Sequence, residues 1–297
     1  MLVPDVVRSK VRAAGAEPWL SELPDLVQQL ADRWQFLPHH SFPDATEALV
    51  LAVTRADGSE AVLKLIVPVS PGAAQREATA LRLAHGRGMV EILAADVARG
   101  ALLLERLGPS LKDLGLPSLE RHRILCATAQ KVWSPAARSG LPTGADKARW
   151  LIDFITTSWD ELDRPCTEAA VVDAVQCAER RIAAWDEELA VLVHGDVHQW
   201  NALVAHEGFK LVDPDGLLAE PEYDLGIIMR EDPEELISGR DPRERARRLA
   251  SMTGRDETAI WEWGVIERVS TGLLGTRIGM QPVAQQMLQA ADWVSAK

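Results

Sequence analysis

The sequence predicts an α+β chain in two parts of different texture, β-rich up to about Arg106 and helical after Pro109. Three observations carry that division. Before Arg106, short β-rich runs are separated by turn signals such as Ala56-Asp57-Gly58. After Pro109, apolar residues recur at three- and four-residue spacing over long segments. Only short extended pieces interrupt that second pattern, at 191–193, 202–204 and 210–212. The expected boundary separates residues 1–105 from 106–297.

In chain order, Leu20, Leu23, Leu26, Val27, Leu30 and Trp34 predict an amphipathic helix, with Ser21 as its cap ahead of Pro24. Residues 34–37 read as a strand, and 46–55 (TEALVLAVTR) as a clearer one. The run 60–66 (EAVLKLI) alternates, placing Val62, Lys64 and Ile66 on one face. Pro68 and Pro71 break the chain; residues 73–85 are then helical, ended by Gly86 and Gly88. Two more strands are expected at 89–96 and 100–105. The second part predicts helices over 119–137, 146–162 and 167–188, around 222–229, and from Pro242 nearly to the C-terminus.

With 297 residues, 47% of them hydrophobic and 26% charged, the chain can bury a sizeable core in one large or two packed domains. A net charge of -12 argues against a nucleic-acid partner. No apolar run approaches the roughly 20 residues that span a bilayer, so no membrane partner is expected. The first 12 residues mix charges with scattered valines and form no secretory apolar segment. Three cysteines without a C-x-x-C make a poor disulfide framework, so a reduced, cytoplasmic protein is expected. Residues 1–105 carry 10 basic and 13 acidic residues, and the remainder 22 and 31. A cationic ligand would be drawn to the second part, although an acidic face also serves solubility.

The informative stretch is 193–216, VHGDVHQWNALVAHEGFKLVDPDG. Asp196 follows a strand, Asn201 comes five residues later, and Asp213 ends a later strand. The two short strands between Asn201 and Asp213 would form a hairpin that sets these residues side by side. Asn and Asp oxygens suit Mg²⁺, which takes few protein ligands and completes its shell with phosphate oxygens. Asp196 is then a carboxylate able to orient a hydroxyl and accept its proton. His194 fits better as a backbone brace than as a reactant.

HGDVHQWN, followed by VDPDG and EPEYDLG, resembles the aminoglycoside phosphotransferase branch of the protein-kinase-like fold, and within it the streptomycin 6-phosphotransferase and hydroxyurea phosphotransferase group. WLSELPDLVQQLADRW, the strand with Lys64, ALLLERLG and the C-terminal helices extend the resemblance over nearly the whole chain. It implies a two-lobed α+β fold with an antiparallel β-sheet N-lobe carrying a helix, and a mainly helical C-lobe. It also implies an ATP- and Mg²⁺-dependent O-phosphotransferase, acting on a streptomycin-type aminoglycoside and conferring antibiotic resistance. Asp196 would be the catalytic base; Asn201 and Asp213 would hold magnesium. Lys64 would reach the nucleotide phosphates with Glu77 as its partner. The adenine would bind main chain at the Glu105 carbonyl and the Leu107 amide, in a hinge at 102–108. Asp224 would support the catalytic loop. The acceptor would be a small cationic or hydroxylated molecule.

One departure stands out. Kinases cover the phosphates with a Gly-rich turn between the first two strands, whereas 37–47 here reads LPHHSFPDATE, without glycine. Pro43 removes a donor and Asp44 adds a repelling charge.

Other readings of the same residues stay open. Lys64 alone could be a solvated edge residue, and Glu77 could pair with Arg76 or Arg82. Asp196 and Asp213 could be a glycosidase pair, or His194, Asp196 and His198 a metal cluster. The fold could act on hydroxyurea or another small metabolite, or be a catalytically weak nucleotide-binding regulatory module. Trp200 could line the acceptor pocket or wedge the loop, with the wedge preferred; the helical tryptophans, Trp150 among them, read mostly as packing. Asp160, Glu161, Asp163, Glu231, Asp232 and Glu262 are acidic candidates for a cationic acceptor.

Overall fold

A computed structural model describes residues 3–43, 45–69, 72–136, 139–238 and 241–296; the features expected at Asp44, Pro71 and Ala137 lie outside the described residues. The chain divides into two units, Met1–Gly108 and Pro109–Lys297.

The first unit opens with α1 (Asp5–Ala13) and α2 (Glu17–Trp34). Helix α2 starts four residues before the expected Ser21 cap, with Ala16 at its N-cap and Pro18 in the first turn. Ser21 instead donates its hydroxyl to the Pro18 carbonyl at 2.7 Å. Pro24 lies inside α2, where its missing N–H forfeits a helical hydrogen bond. Burial offsets that loss: Leu23 and Leu30 are fully buried with Val7 and Val11 of α1, and each buried leucine contributes roughly 1.5–3 kcal/mol. Gln35 then adopts a left-handed φ of 55° and ends the helix. The first strand therefore begins at Phe36 rather than Trp34.

Strands β1 (Phe36–Ser41), β2 (Ala48–Arg55), β3 (Glu60–Ile66), β4 (Ile92–Asp96) and β5 (Ala101–Glu105) form an antiparallel sheet in the order β1-β2-β3-β5-β4. Ala61, Leu63 and Leu65 of β3 point with Leu49, Leu51, Val53 and Leu103 into the core shared with α1 and α2. Period-two alternation sends Val62, Lys64 and Ile66 to the other face. There Lys64 stands in register between Val50 of β2 and Leu102 of β5. Helix α3 (Ala73–Ala84) brings Glu77 to that face.

The second unit contains α4 (Ser118–Val132), α5 (Gly144–Glu161) and α6 (Glu168–Ala183), then β6 (Val191–Val193), β7 (Ala202–Val204), β8 (Phe209–Leu211) and β9 (Leu217–Ala219). After these come α7 (Glu222–Ile228), α8 (Pro233–Ser238), α9 (Glu244–Thr253), α10 (Glu257–Arg277) and α11 (Val283–Ser295). The starts are set by side chains. Thr143 and Asp146 form a capping box at the head of α5, and Thr167 and Asp256 cap α6 and α10; each cap contributes about 1 kcal/mol.

Helix α10 is buried on nearly every side, among α5, α6, α7, α9 and α11. Glycine permits its contact with α7: a Cβ on Gly226 would stand 2.2 Å from the Cβ of Trp263. Strand β9 and helix α8 are not anticipated by the sequence patterns. Among the described residues, no helix is long and apolar enough to cross a membrane.

Candidate active site

Strand β6 pairs with β9, and β7 pairs with β8. The loop between β6 and β7, 194–201, carries Asp196. Its first turn requires glycine. Gly195 has φ of +88°, and a Cβ there would meet the Cβ of Asp215 at 2.8 Å. Asp224, in the first turn of α7 and fully buried, ties this turn down. One of its oxygens accepts from the His194 N–H (3.1 Å) and from the Trp133 indole (2.9 Å); the other accepts from the Gly195 N–H (2.8 Å). Burial pushes its carboxyl above the usual aspartate range, and these donors and His194 oppose the shift.

His194 is also fully buried and engages both ring nitrogens. Nε2 donates to the Val212 carbonyl at 2.9 Å, and Nδ1 accepts from the Asp196 N–H at 3.1 Å. That pattern defines a neutral tautomer, in keeping with a pKa depressed by burial. His194 therefore braces the loop, and the H-x-D-x-H segment does not converge as three metal ligands. Among the described residues, no group of three or more His, Cys, Asp or Glu residues is arranged to hold a metal ion.

Asp196 is half-buried and held from two sides. Oδ2 accepts from His198 Nε2 and Asn201 Nδ2, each at 3.1 Å, and Oδ1 accepts from the Arg230 guanidinium. Burial alone would raise its pKa, but His198 and Arg230 outweigh burial and hold the carboxyl well below the usual carboxylate range. Reciprocally, burial disfavours the His198 imidazolium, while Asp196 more than compensates and raises its pKa.

Asn201 lies at the mouth of the β7–β8 hairpin. Its carbonyl accepts from the Val212 N–H at 2.9 Å, so Asp213 follows directly beside it, the juxtaposition that the hairpin predicts. The Asn201 amide donates to both the backbone carbonyl (3.2 Å) and the carboxylate of Asp196, which turns Oδ1 away from Asp196. Asp213 is exposed and adopts a left-handed φ of 59°, a conformation costing roughly 1 kcal/mol in a residue with a side chain. An oxygen from each, on adjacent positions, is a donor set that fits Mg²⁺.

The remaining expected site residues belong to the first unit. Lys64 and Glu77 are both buried, at 4% and 7% exposure, and Lys64 Nζ meets each Glu77 oxygen at 2.7 Å. The edge-residue reading of Lys64 gives way to this pair. Glu105 closes β5, exchanging its N–H and side chain with the backbone of Glu91 at 3.0 and 2.7 Å. Leu107 follows, buried.

The acidic candidates for the acceptor side lie in different surroundings. Glu262 is buried at 3% exposure under Arg180 and Arg181. Asp232 holds Arg121, while Asp160 and Glu161 hold Arg164 and Arg277. These four carboxylates already carry a cation. Trp200 is 57% exposed with Lys112 over its ring, so it wedges nothing; Trp150 is 54% exposed and stacks on Phe154.

Sequence reasoning missed Arg230, Glu267 and Lys147. Lys147 of α5 binds Asp215 at 3.0 Å. Burial disfavours its ammonium, but Asp215, Glu267 and Asp196 outweigh that and raise its pKa. The available signal was compositional: Arg230 ends the apolar run LGIIM, and Glu267 follows the apolar run WGVI within a helix buried on nearly every side. Charges placed there need partners.

Residues 33–259 match the family described as aminoglycoside/hydroxyurea antibiotic resistance kinase. The chain is 30% identical to a streptomycin 6-kinase of Streptomyces glaucescens over 305 residues, covering 95% of this chain and 94% of that protein. It is 31% identical to a hydroxyurea phosphotransferase of Kitasatospora aureofaciens over 225 residues, covering 72% and 62% of the two chains. Among solved structures, an aminoglycoside phosphotransferase, APH(4)-Ia, in ternary complex with ADP and hygromycin B superposes with a TM-score of 0.62 at 14% identity. That match covers 91% of this chain and 97% of the other. The superposition shows the shared kinase-like fold.

Proposed function

The chain belongs to the aminoglycoside/hydroxyurea antibiotic resistance kinase family, and on that premise we propose that it transfers the γ-phosphoryl group of Mg-ATP to a hydroxyl of a streptomycin-like cationic acceptor. The observation that carries this reading is the Asp196 carboxylate, kept ionised and oriented by His198, Asn201 and Arg230. The acceptor oxygen attacks the γ-phosphorus, the bond from that phosphorus to the β–γ bridging oxygen breaks, and ADP leaves. The hydroxyl proton passes to Asp196. A carboxylate of such low basicity acts chiefly by aligning the hydroxyl and takes the proton late, as a loose phosphoryl-transfer transition state requires.

Lys64, fixed by Glu77, places a point charge on the nucleotide phosphates. The Glu105 carbonyl and Leu107 amide bind the adenine edge. Asn201 and Asp213 would hold Mg²⁺, which supplies charge neutralisation at the phosphate oxygens. The acidic balance of residues 106–297, 22 basic against 31 acidic, favours approach of a cationic acceptor. Free, buried Cys126, Cys166 and Cys177, whose thiols burial pushes up to about 12, suit a reducing cytoplasmic setting.

An acceptor panel monitored by ADP release tests the reading. Streptomycin is expected to stimulate ADP formation in Mg-ATP and to gain one phosphate by mass spectrometry. Stimulation by hydroxyurea in its place would transfer the assignment to small hydroxylated acceptors, which the Kitasatospora relative represents. ADP release indifferent to every acceptor would reject the kinase assignment.

A further inference from the structure

From the contacts behind the catalytic loop, we infer that Arg230 is a positioning residue for the transfer step: it fixes the plane of the Asp196 carboxylate and is itself fixed by α10. Arg230 follows directly on α7 and its C-cap Met229, and its side chain is 14% exposed. The guanidinium makes three side-chain contacts. One nitrogen donates to Asp196 Oδ1; another donates to Glu267 Oε2 at 3.1 Å and to Thr271 Oγ1 at 2.9 Å. Glu267, 6% exposed, is steadied in turn by the Tyr223 hydroxyl, which donates to its Oε1 at 2.8 Å. A planar fork with both ends committed has little rotational freedom left.

The consequence lies in the two oxygens of Asp196. His198 and Asn201 hold Oδ2, and Arg230 holds Oδ1. With both oxygens held, the carboxylate cannot turn about its last side-chain bond. The second lone pair of an oxygen is thereby aimed in one direction, where an acceptor hydroxyl can dock. Without Arg230 the carboxylate would pivot on Oδ2. Misplacing a reacting group by about 1 Å costs on the order of 10²-fold in rate. A purely structural pairing of Arg230 with Glu267 would leave turnover untouched once the protein had folded.

This inference rests on Asp196 being the group that orients the acceptor, and the experiment separates the two claims. Steady-state kinetics of the full chain with streptomycin and Mg-ATP are compared for Asp196→Asn, Arg230→Gln, Arg230→Lys and the Asp196→Asn/Arg230→Gln double variant. Arg230→Gln should lower kcat on the order of 10²-fold and leave both KM values within about threefold of wild type, the pattern of an interaction expressed in the transition state. Arg230→Lys, which keeps the charge without the fork, should recover about tenfold of that loss. The double variant should be no slower than Asp196→Asn alone, because Arg230 acts through that carboxylate. A Gln variant with wild-type kcat, or a double variant whose losses multiply, would overturn the inference and leave the functional reading standing. An Asp196→Asn enzyme at full speed would sink both. If Arg230→Gln fails to fold, the Lys variant decides alone: reduced kcat at constant KM supports the role, and unchanged kcat refutes it.

Discussion

Asn201 commits its amide hydrogens to Asp196, one bond to the backbone and one to the carboxylate. Its oxygen is therefore turned from Asp196, and the neighbouring Asp213 is exposed with a left-handed φ of 59°. If Asn201 and Asp213 hold Mg²⁺, Asp213→Ala should weaken Mg-ATP binding at least about tenfold by calorimetry while leaving Mg-free ATP binding near wild type. Equal Mg-ATP affinity in variant and wild type would remove Asp213 from the metal site. The adjacency of Asn201 and Asp213 is legible from spacing, because they flank one short hairpin. Arg230 is not. It reaches Asp196 from 34 residues away, and nothing local announces which buried carboxylate an arginine will find.

Helix α7 joins the 194–201 loop at two points, through Asp224 at its first turn and Arg230 just past its end. Asp224 satisfies three donors at once, two of them buried backbone N–H groups. Asp224→Asn keeps the volume but turns an amide NH₂ toward N–H groups that need an acceptor, and an unsatisfied buried donor costs about 1–3 kcal/mol. The expected loss is about 2–4 kcal/mol in urea unfolding; a change under about 0.5 kcal/mol would show that the turn is held elsewhere. At this scale the sequence was informative where local rules act. The β7–β8 hairpin, the alternation of β3 and most helix spans follow from periodicity and turn residues. It misled where tertiary burial overrode propensity: Pro24 reads as a helix start yet lies inside α2, because Leu23 and Leu30 hold the helix around it. Strand β9 escaped notice because three residues, LLA, pair with β6 only after the chain has turned back.

Across the whole molecule, ion pairs divide into buried or half-buried and exposed kinds, and pairs of the first kind such as Arg181–Glu262 and Arg121–Asp232 also lie outside the proposed chemistry. Within the first unit the Lys64–Glu77 pair is buried, and within the second the Arg230–Asp196 pair is half-buried, whereas exposed pairs such as Arg164–Asp160 lie on the surface, where they contribute little. Breaking a buried pair leaves a charge without a partner, so sequence drift is expected to spare the first kind and erase the second. Acceptor recognition is the least legible feature, because four of the six acidic residues considered already hold arginines. A carboxylate's sign can be read from the sequence, whereas its existing partner is known only from the fold.

Turnover of Asp196→Ala with saturating streptomycin and Mg-ATP, measured together with its Mg-ATP affinity, tests the central claim most directly. The expected result is a kcat lower by roughly 10²–10⁴ with nucleotide affinity close to wild type. Undiminished turnover would contradict it.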